Sequence, residues 1–316
     1  KLKITSNENS KDNAQFDVLI ANPPYSVNDF KSTVRDGEKS FELFNKLTDS
    51  SSEIECLFVE RMKQLLKVGG YAGIILPSSI LSNAGIYTAT REILLKYFYI
   101  AGITEFGSNT FMATGTNTVT LFLKRRDNYD WRKIESAIES FFDKPKDVTV
   151  LGIEKAFSKY VNSVFDTISI DDYISFVNHC PTEAFKNIQI FKDYISWFNS
   201  LTEVINLKNK AAFKTLTYAE QESQLNKLFY EKVFAVEKNK LLYFLLVYPQ
   251  KTVIVKTGEK QDEKAFLGYE FSNRRGNEGI KILPNGTSLY DEHNLINAEK
   301  ANYYIYKAFL NEYPNI

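Results

Sequence analysis

Apolar runs alternate with helix-like patterns between residues 16 and 123. The runs short enough to be buried strands cover 16–21, 71–76, 99–106 and 118–123. The first run is almost continuously apolar, which predicts a strand buried on both faces, as in a parallel sheet. Apolar residues recur at three- and four-residue spacing over 52–67, which predicts a helix that Gly69 and Gly70 end. A second helix is predicted over 88–97. This order of elements predicts a mostly parallel α/β sheet with an antiparallel final strand.

The pattern changes after residue 126. From 131 to 247 the chain is predicted to be largely helical, with aromatic and aliphatic residues on one face. A strand and a last helix are predicted further on, at 251–255 and 297–310. Charged residues and Pro145 interrupt the pattern over 128–147. We therefore predict two regions, 1–130 with the sheet and 131–316 as a mainly helical domain.

The composition is typical of a reduced protein with a sizeable core. Of the 316 residues 44% are hydrophobic, and 39 Lys and Arg balance 39 Asp and Glu. Because the net charge is zero, contacts with nucleic acid are expected from local basic patches only. The two cysteines have no metal-ligand spacing, no apolar stretch is long enough to span a bilayer, and no signal peptide is predicted. We expect a cytoplasmic protein without a disulfide, a metal site or a membrane segment.

The run at 16–25, FDVLIANPPY, ends an apolar segment in two prolines. In open α/β sheets ligands bind beyond the carboxyl ends of the strands, and Asn22 to Tyr25 follow such an end. A residue before proline is held extended and each proline fixes its own φ, so the loop is predicted to be stiff. It offers the Asn22 side-chain oxygen and the Pro23 carbonyl as acceptors, beside the ring of Tyr25. For these four residues alone, a simple strand end at Pro23 and Pro24 remains the alternative.

Two acceptors beside an aromatic ring suit a planar base that carries an exocyclic amino group. That nitrogen is a poor nucleophile because its lone pair is delocalised into the ring. Accepting both of its hydrogens favours a more pyramidal nitrogen that can attack, and the proton can leave afterwards. Stacking on Tyr25 is worth about 1–3 kcal/mol, which is comparable with the few kcal/mol needed to extrude a base from a duplex.

The run at 16–25 resembles the catalytic motif of S-adenosylmethionine-dependent amino methyltransferases, above all the adenine-N6 DNA methylases. Three later segments narrow the resemblance: 55–79 with Leu-Lys-x-Gly-Gly, 91–94, and 111–123 with a Phe followed by a Thr-Gly turn. In this order they resemble the modification subunits of type I restriction systems and the related fused restriction–modification enzymes. The motif alone is shared with ribosomal RNA adenine methylases and with methylases of release-factor glutamine, which remain alternatives.

The resemblance implies a fold and a role for each matching residue. The fold is α/β, with a partial Rossmann-like methyltransferase sheet followed by a mainly α-helical C-terminal domain. Asn22 and Pro23, in a motif completed by Pro24, would accept hydrogen bonds from the target amino group, and Tyr25 would stack on the flipped adenine. Phe111 matches the aromatic residue that packs against the other face or edge of that base. A core Phe in a loop before a strand is the alternative for Phe111.

The resemblance also implies S-adenosyl-L-methionine as the methyl donor. In this subgroup the Gly-rich cofactor turn precedes the Asn-Pro-Pro-Tyr strand, but residues 1–14 contain no glycine. The glycines at 152, 268 and 276–279 do not follow a buried strand in the required way. We therefore expect a C-terminal fragment of a catalytic domain, which binds the cofactor weakly or not at all and leaves an apolar sheet edge exposed.

Two short basic clusters are candidate contacts to DNA phosphates, although such clusters are more often only solvated. They are Lys124, Arg125 and Arg126, and Arg274 with Arg275. Region 1–130 would supply the C-terminal half of the catalytic domain, and region 131–316 would contact DNA or dock a subunit.

The resemblance thus predicts methyl transfer to N6 of adenine within a restriction–modification system. The expected partners are double-stranded DNA and specificity and restriction subunits or domains. An RNA or protein-glutamine methyltransferase is the alternative within enzymes. A methylase-like module that binds DNA or a partner without chemistry is the alternative outside them.

Overall fold

The computed structural model divides the chain into two compact units, 1–128 with 250–316, and 129–249. The residues that the structure describes are 14–25, 27–106, 117–256, 266–267, 270–271, 278–279, 282–283, 286–287, 289–290, 293 and 295–312. The predicted helical region 131–316 begins close to the second unit but extends beyond it, because residues 250–316 group with the sheet. The strand at Val253–Lys256 pairs with the sheet of the first unit, which is the reason for this difference.

The first unit, called the sheet unit below, contains one five-stranded sheet, two small hairpins and several helices among its described residues. The strands are β1 (Phe16–Ala21), β2 (Leu66–Pro77), β3 (Phe98–Glu105), β4 (Thr118–Arg125) and β5 (Val253–Lys256). The helices are α1 (Gly37–Ser40), α2 (Glu55–Leu65), α3 (Ser79–Ser82), α4 (Ile86–Tyr97) and α13 (Ala301–Phe309). Short 3-10 turns cover Phe30–Thr33 and Phe44–Lys46. Two-residue strands form two small hairpins, β6 (Glu270–Phe271) with β7 (Glu278–Gly279), and β8 (Ile282–Leu283) with β9 (Gly286–Thr287).

The five-stranded sheet is mixed. Its strand order is β1-β2-β4-β3-β5. The pairs β1–β2 and β3–β5 are parallel, whereas β4 is antiparallel to both β2 and β3. The α/β class and the antiparallel β4 are confirmed. The prediction of a mostly parallel sheet is wrong. Strand β4 lies between β2 and β3 and pairs antiparallel with each of them, so only half of the strand pairs are parallel.

Strand β1 lies at one edge of the sheet and is not buried on both faces as predicted. It pairs with β2 alone among the described strands. The side chains of Val18 and Ile20 are 57% and 86% exposed. This agrees with the expected exposed apolar edge, which is a feature that promotes pairing with further chains.

Gly69 and Gly70 lie inside β2 and do not end helix α2, which stops at Leu65. Between Phe16 and Val18 the register of β1 on β2 shifts, so the intervening residues of β2 bulge. Gly69 has φ +82° there, a left-handed backbone that favours glycine. A Cβ at Gly70 would stand 2.9 Å from the Asp17 carbonyl. The double glycine therefore shapes a bulge against β1.

Helices α2 and α4 fill the core on one side of the sheet. This core contains buried residues from both helices and from β2, β3 and β4, such as Val59, Ile74, Ile93, Phe98 and Leu121. On β5 and α13 a smaller cluster contains Val255, Ala301 and Ile305. A Cβ on Gly102 of β3 would come within 2.7 Å of Ile305, so glycine allows α13 to pack closely on the sheet.

The second unit, called the helical unit below, consists of α-helices among its described elements. They are α5 (Asp130–Asp143), α6 (Ala156–Val164), α7 (Ile170–Val177), α8 (Glu183–Asn187), α9 (Gln189–Ser200), α10 (Thr202–Asn209), α11 (Ala211–Lys214) and α12 (Tyr218–Val247). The predicted helical stretch is thereby confirmed for 131–247. None of the helices that the structure describes is both long and apolar enough to cross a membrane.

A fully buried carboxylate stands at the centre of the helical unit. Glu237 of α12 is 0% exposed. It accepts hydrogen bonds from the hydroxyls of Tyr160 at 3.0 Å and Tyr173 at 2.8 Å, and also from Tyr194. The Lys240 ammonium lies 3.4 Å from Oε1, the oxygen that also accepts from Tyr194, whereas Tyr160 and Tyr173 donate to Oε2. Burial raises the pKa of all three tyrosines, and the nearby Glu237 charge raises it further, so the phenols remain neutral donors.

Candidate active site

The Asn-Pro-Pro-Tyr loop directly follows the last residue of β1, at the carboxyl end of the strand. Asn22 and Pro24 are exposed, Tyr25 is half-buried, and Pro23 is buried. Two residues after Tyr25 the backbone N–H of Val27 donates to the Ser52 carbonyl at 3.0 Å. The loop thus starts from the sheet, is held again at Val27, and leaves its amide side chain open to solvent.

The Tyr25 hydroxyl ties the loop to itself and to the sheet. It donates to Oδ1 of Asn22 at 2.7 Å, and the Ile75 carbonyl of β2 lies 3.4 Å from the same hydroxyl. The shorter contact takes one of the two lone pairs of the Asn22 oxygen. An incoming amino group therefore meets an acceptor that is already partly engaged by the phenol of its own loop.

A buried carboxylate at the start of α2 lies behind this loop. Glu55 is 1% exposed. One oxygen accepts a hydrogen bond from the Tyr87 hydroxyl at 2.8 Å, and the other has no partner among the described residues. Burial raises the pKa of Glu55. Burial also raises the pKa of Tyr25, and the Glu55 charge adds to that effect, so the phenol stays protonated at neutral pH.

Sequence reasoning did not single out Glu55. Its position in the first turn of a helix fits a solvated residue that interacts with the helix dipole. One sequence feature could have indicated Glu55: it is an acidic residue at the beginning of the apolar stripe of α2, within the segment 55–79. A perturbed carboxylate near a strand-end loop is a frequent feature of functional sites.

Asp17 does not take part in the loop. Both of its carboxylate oxygens lie 2.9 Å from the Lys67 ammonium in the β2 bulge. The two side chains are largely exposed, so this ion pair adds little to stability. Asp17 is therefore a strand carboxylate whose partner is a lysine of the neighbouring strand.

Arg125 and Arg126 are corrected here as candidate DNA contacts, because both are buried within the sheet unit. Arg125 donates to the carbonyls of Lys63 and Tyr97 at 3.2 Å each, and burial lowers its pKa to about 10. Arg126 donates to the Phe98 carbonyl at 2.9 Å. Both guanidinium groups tie the ends of strands and helices together and are turned away from solvent.

Of the remaining predicted site residues, Lys124 lies within the described part of the chain. Lys124 is half-buried, with its ammonium 5.6 Å from the centre of the Tyr71 ring, and its role in DNA contact stays a prediction. Phe111, Arg274 and Arg275 lie outside the described residues. Within the described part of the chain, no group of three His, Cys, Asp or Glu side chains could hold a metal ion.

The mixed five-stranded sheet, with helices packed against it, defines the class of the protein as α/β. A family model described as N-6 DNA Methylase matches residues 3–191. That match covers more than half of the chain, which therefore belongs to the N-6 DNA methylase family.

Among curated proteins, the type II restriction enzyme and methyltransferase RM.Eco57I of Escherichia coli is 30% identical over 122 residues. This segment is 37% of the present chain and 12% of that relative, so the chain spans only a small part of the relative's length.

Solved structures also match part of the chain. The M protein of the type I restriction enzyme EcoKI is 20% identical, with a TM-score of 0.29, over 36% of this chain and 22% of its own. A type I restriction–modification methyltransferase subunit from Streptococcus thermophilus is 25% identical, with a TM-score of 0.30, over 36% and 24% of the two chains.

Proposed function

We propose that this chain carries the target-base side of an S-adenosylmethionine-dependent adenine-N6 DNA methyltransferase in a restriction–modification system. The observation that carries the proposal is the solvent-open Asn22 amide at the end of β1, beside the ring of Tyr25. Membership of the N-6 DNA methylase family supports DNA over RNA or protein as the substrate. The name of RM.Eco57I supports the restriction–modification setting.

In this proposal the loop residues act on the amino group of an extruded adenine. The Asn22 oxygen and the Pro23 carbonyl accept its two hydrogens, so that the nitrogen lone pair can attack the methyl group that S-adenosylmethionine would supply, with the thioether S-adenosylhomocysteine as the leaving group. Tyr25 stacks on the base and contributes about 1–3 kcal/mol. Catalysis then consists mainly of positioning and of excluding water. The proton leaves the nitrogen after the methyl group has arrived, so the loop needs no strong base.

The described residues around the loop do not form a recognisable S-adenosylmethionine site. Such a site needs a glycine-rich turn after a buried strand. Among the described residues of the sheet unit, the glycines with positive φ are Gly69 in a strand bulge and Gly85 before a helix. We therefore assign none of the described residues to the cofactor site.

We expect the purified chain to bind S-adenosylmethionine weakly or not at all. The physical reason is that backbone N–H groups at a glycine-rich turn normally supply much of the contact with such a cofactor. Isothermal titration calorimetry measures this directly. Micromolar affinity with one-to-one stoichiometry would contradict the expectation and would direct the search for a cofactor site to the residues of this chain.

Replacing Tyr25 by Phe is expected to keep base stacking while it frees the Asn22 oxygen. The ring remains, but the hydroxyl that donates to Asn22 at 2.7 Å is lost. In the full-length gene product, the methylation rate of Tyr25→Phe should therefore stay within about threefold of wild type. The rate of Tyr25→Ala should fall roughly 10- to 100-fold, because base stacking is lost. Steady-state methyl transfer measures both. A Phe variant as impaired as the Ala variant would show that the hydroxyl itself is needed.

The proposed substrate is tested by methyl transfer from radiolabelled S-adenosylmethionine in the full-length gene product. Unmethylated genomic DNA, ribosomal RNA and release factor serve as three parallel substrates. Label in DNA alone, found in N6-methyladenine after digestion, is the expected result. Label in RNA or in a glutamine side chain would replace the proposal by one of the two enzymatic alternatives. Methylated DNA of the same source is the control, because its sites are already occupied.

A further inference from the structure

A basic stretch without acidic residues lies in the helical unit at 204–219. Residues 204–219 contain three lysines and no Asp or Glu, in a chain whose net charge is zero. This stretch covers most of α10, all of α11 and the first residues of α12. Lys210, Lys214 and Tyr218 are exposed, and Tyr218 reaches 80%. These three residues and Lys208 are called the basic corner below.

The acidic residues that flank the basic corner are already engaged. Glu203 forms an ion pair with Lys232 at 2.7 Å. Glu220 accepts hydrogen bonds from the backbone and hydroxyl of Thr217, both at 2.8 Å, in the capping box of α12. Neither carboxylate is directed to a lysine of the corner. Lys210 and Lys214 have no ion-pair partner among the residues that the structure describes, so their charge is available to a ligand.

The basic corner is also held in a fixed shape. The Phe213 ring is buried and anchors α11. The Gln221 amide donates to the carbonyls of Phe213 at 3.1 Å and Leu216 at 3.0 Å, which joins α11 to the first turn of α12. Lys208 donates to the Asn199 side chain at 2.9 Å and keeps further N–H donors for a ligand. A preformed surface loses less entropy on binding than a disordered basic tail.

We propose that the basic corner of Lys208, Lys210, Lys214 and Tyr218 docks on the phosphate backbone of double-stranded DNA. Lysines neutralise phosphates, and hydroxyl donors such as that of Tyr218 fix the register on the backbone without reading sequence. The choice of duplex DNA as the partner rests on the proposed function. The surface itself is defined by charge and exposure within the helical unit alone.

The test is fluorescence anisotropy of a labelled 30-base-pair duplex with the full chain, over a range of salt concentrations. The triple variant Lys208→Ala, Lys210→Ala, Lys214→Ala should reduce the slope of log K against log salt by about 2.7, since each phosphate contact contributes about 0.9. Tyr218→Phe, which removes a neutral donor, should weaken binding and leave the slope unchanged.

A matched control removes three other exposed lysines of the same unit, Lys133, Lys144 and Lys146. Equal loss of binding in the control and in the corner triple variant would overturn the proposal, as would the absence of any salt-dependent duplex binding by the wild-type chain. Loss of binding to a specificity or restriction subunit, with DNA binding intact, would make the corner a protein-docking surface and would also overturn it. Circular dichroism melts verify that the variants are folded.

This experiment is independent of catalysis. Asn22→Ala should leave the salt slope of duplex binding at the wild-type value whatever it does to catalysis, because it removes no positive charge. If the lysine triple variant binds duplex DNA as the wild type does while DNA methylation is intact, the proposed docking surface alone is refuted. Binding by the corner with no methylation of DNA would refute the proposed function alone.

Discussion

Asn22→Ala is expected to reduce DNA methylation by the full-length gene product roughly 10²- to 10³-fold, the usual loss when one preorganised hydrogen-bond partner of the transition state is removed. The Asn22 oxygen is one of the two acceptors assigned to the amino group, and alanine offers none. The loss should appear in kcat more than in KM, because the base still stacks on Tyr25. Single-turnover methyl transfer at saturating cofactor measures it.

The exposed Asn28, a few residues further along the same loop, gives a matched control. Asn28→Ala makes the same chemical change without touching the strand-end acceptors and should leave activity within about twofold. Asn22 is exposed and its partner Tyr25 keeps the Ile75 carbonyl as a second acceptor, so Asn22→Ala should fold normally. Wild-type activity of a folded Asn22→Ala enzyme would show that the loop is not catalytic.

Glu237→Ala is expected to lower the free energy of unfolding of the helical unit by about 3–5 kcal/mol. The substitution leaves the buried hydroxyls of Tyr160, Tyr173 and Tyr194 without their common acceptor. It also opens a cavity among four helices. Glu237→Gln retains one oxygen, so its effect should lie between those of wild type and Glu237→Ala.

Both tryptophans of the chain, Trp131 and Trp197, belong to the helical unit. Their fluorescence during urea denaturation therefore reports the unfolding of this unit, whatever happens in the sheet unit. The control is Glu222→Ala, an exposed glutamate on the same helix, for which a change within about 0.5 kcal/mol is expected. A similarly small change for Glu237→Ala would mean that the tyrosine hydroxyls find other acceptors.

The elements of the fold could be predicted where local periodicity decides them. Three elements begin and end within a few residues of their predicted bounds: α4, β3 and β4. Each is defined by an apolar stripe or run that neighbouring residues alone reveal. The double glycine was misinterpreted because a helix stop and a strand bulge need the same positive φ. Which one forms depends on β1, which lies some fifty residues earlier in the chain.

The candidate site could be predicted only in part. Asn22 and Tyr25 were predicted as site residues because the prolines mark the strand end, and the structure confirms that they follow β1. Their hydrogen bond to each other was not found, since it depends on side-chain geometry in a stiff loop. Arg125 and Arg126 look like a surface cluster in sequence, and their burial follows from carbonyls that α4 and β3 bring to them. Hydrogen bonds between an arginine side chain and carbonyls distant in sequence cannot be predicted from the residues next to that arginine.

Strand β5 closes the sheet only after the whole helical unit has been traversed. The hydroxyl of Thr252 donates to the Ile100 carbonyl across a sequence separation of 152 residues, and Gln250 reaches the Ile100 amide across 150. During synthesis on the ribosome, β3 emerges before β5 and cannot pair with it until the helical unit has also emerged. Because the helical unit is one continuous segment, it can fold before β5 is synthesised. If the helical unit folds first, pairing of β3 with β5 costs less entropy than closing a flexible loop of the same length. Folding of the helical unit therefore controls when β5 can complete the sheet. Variants that unfold the helical unit should slow the pairing of β5 with β3.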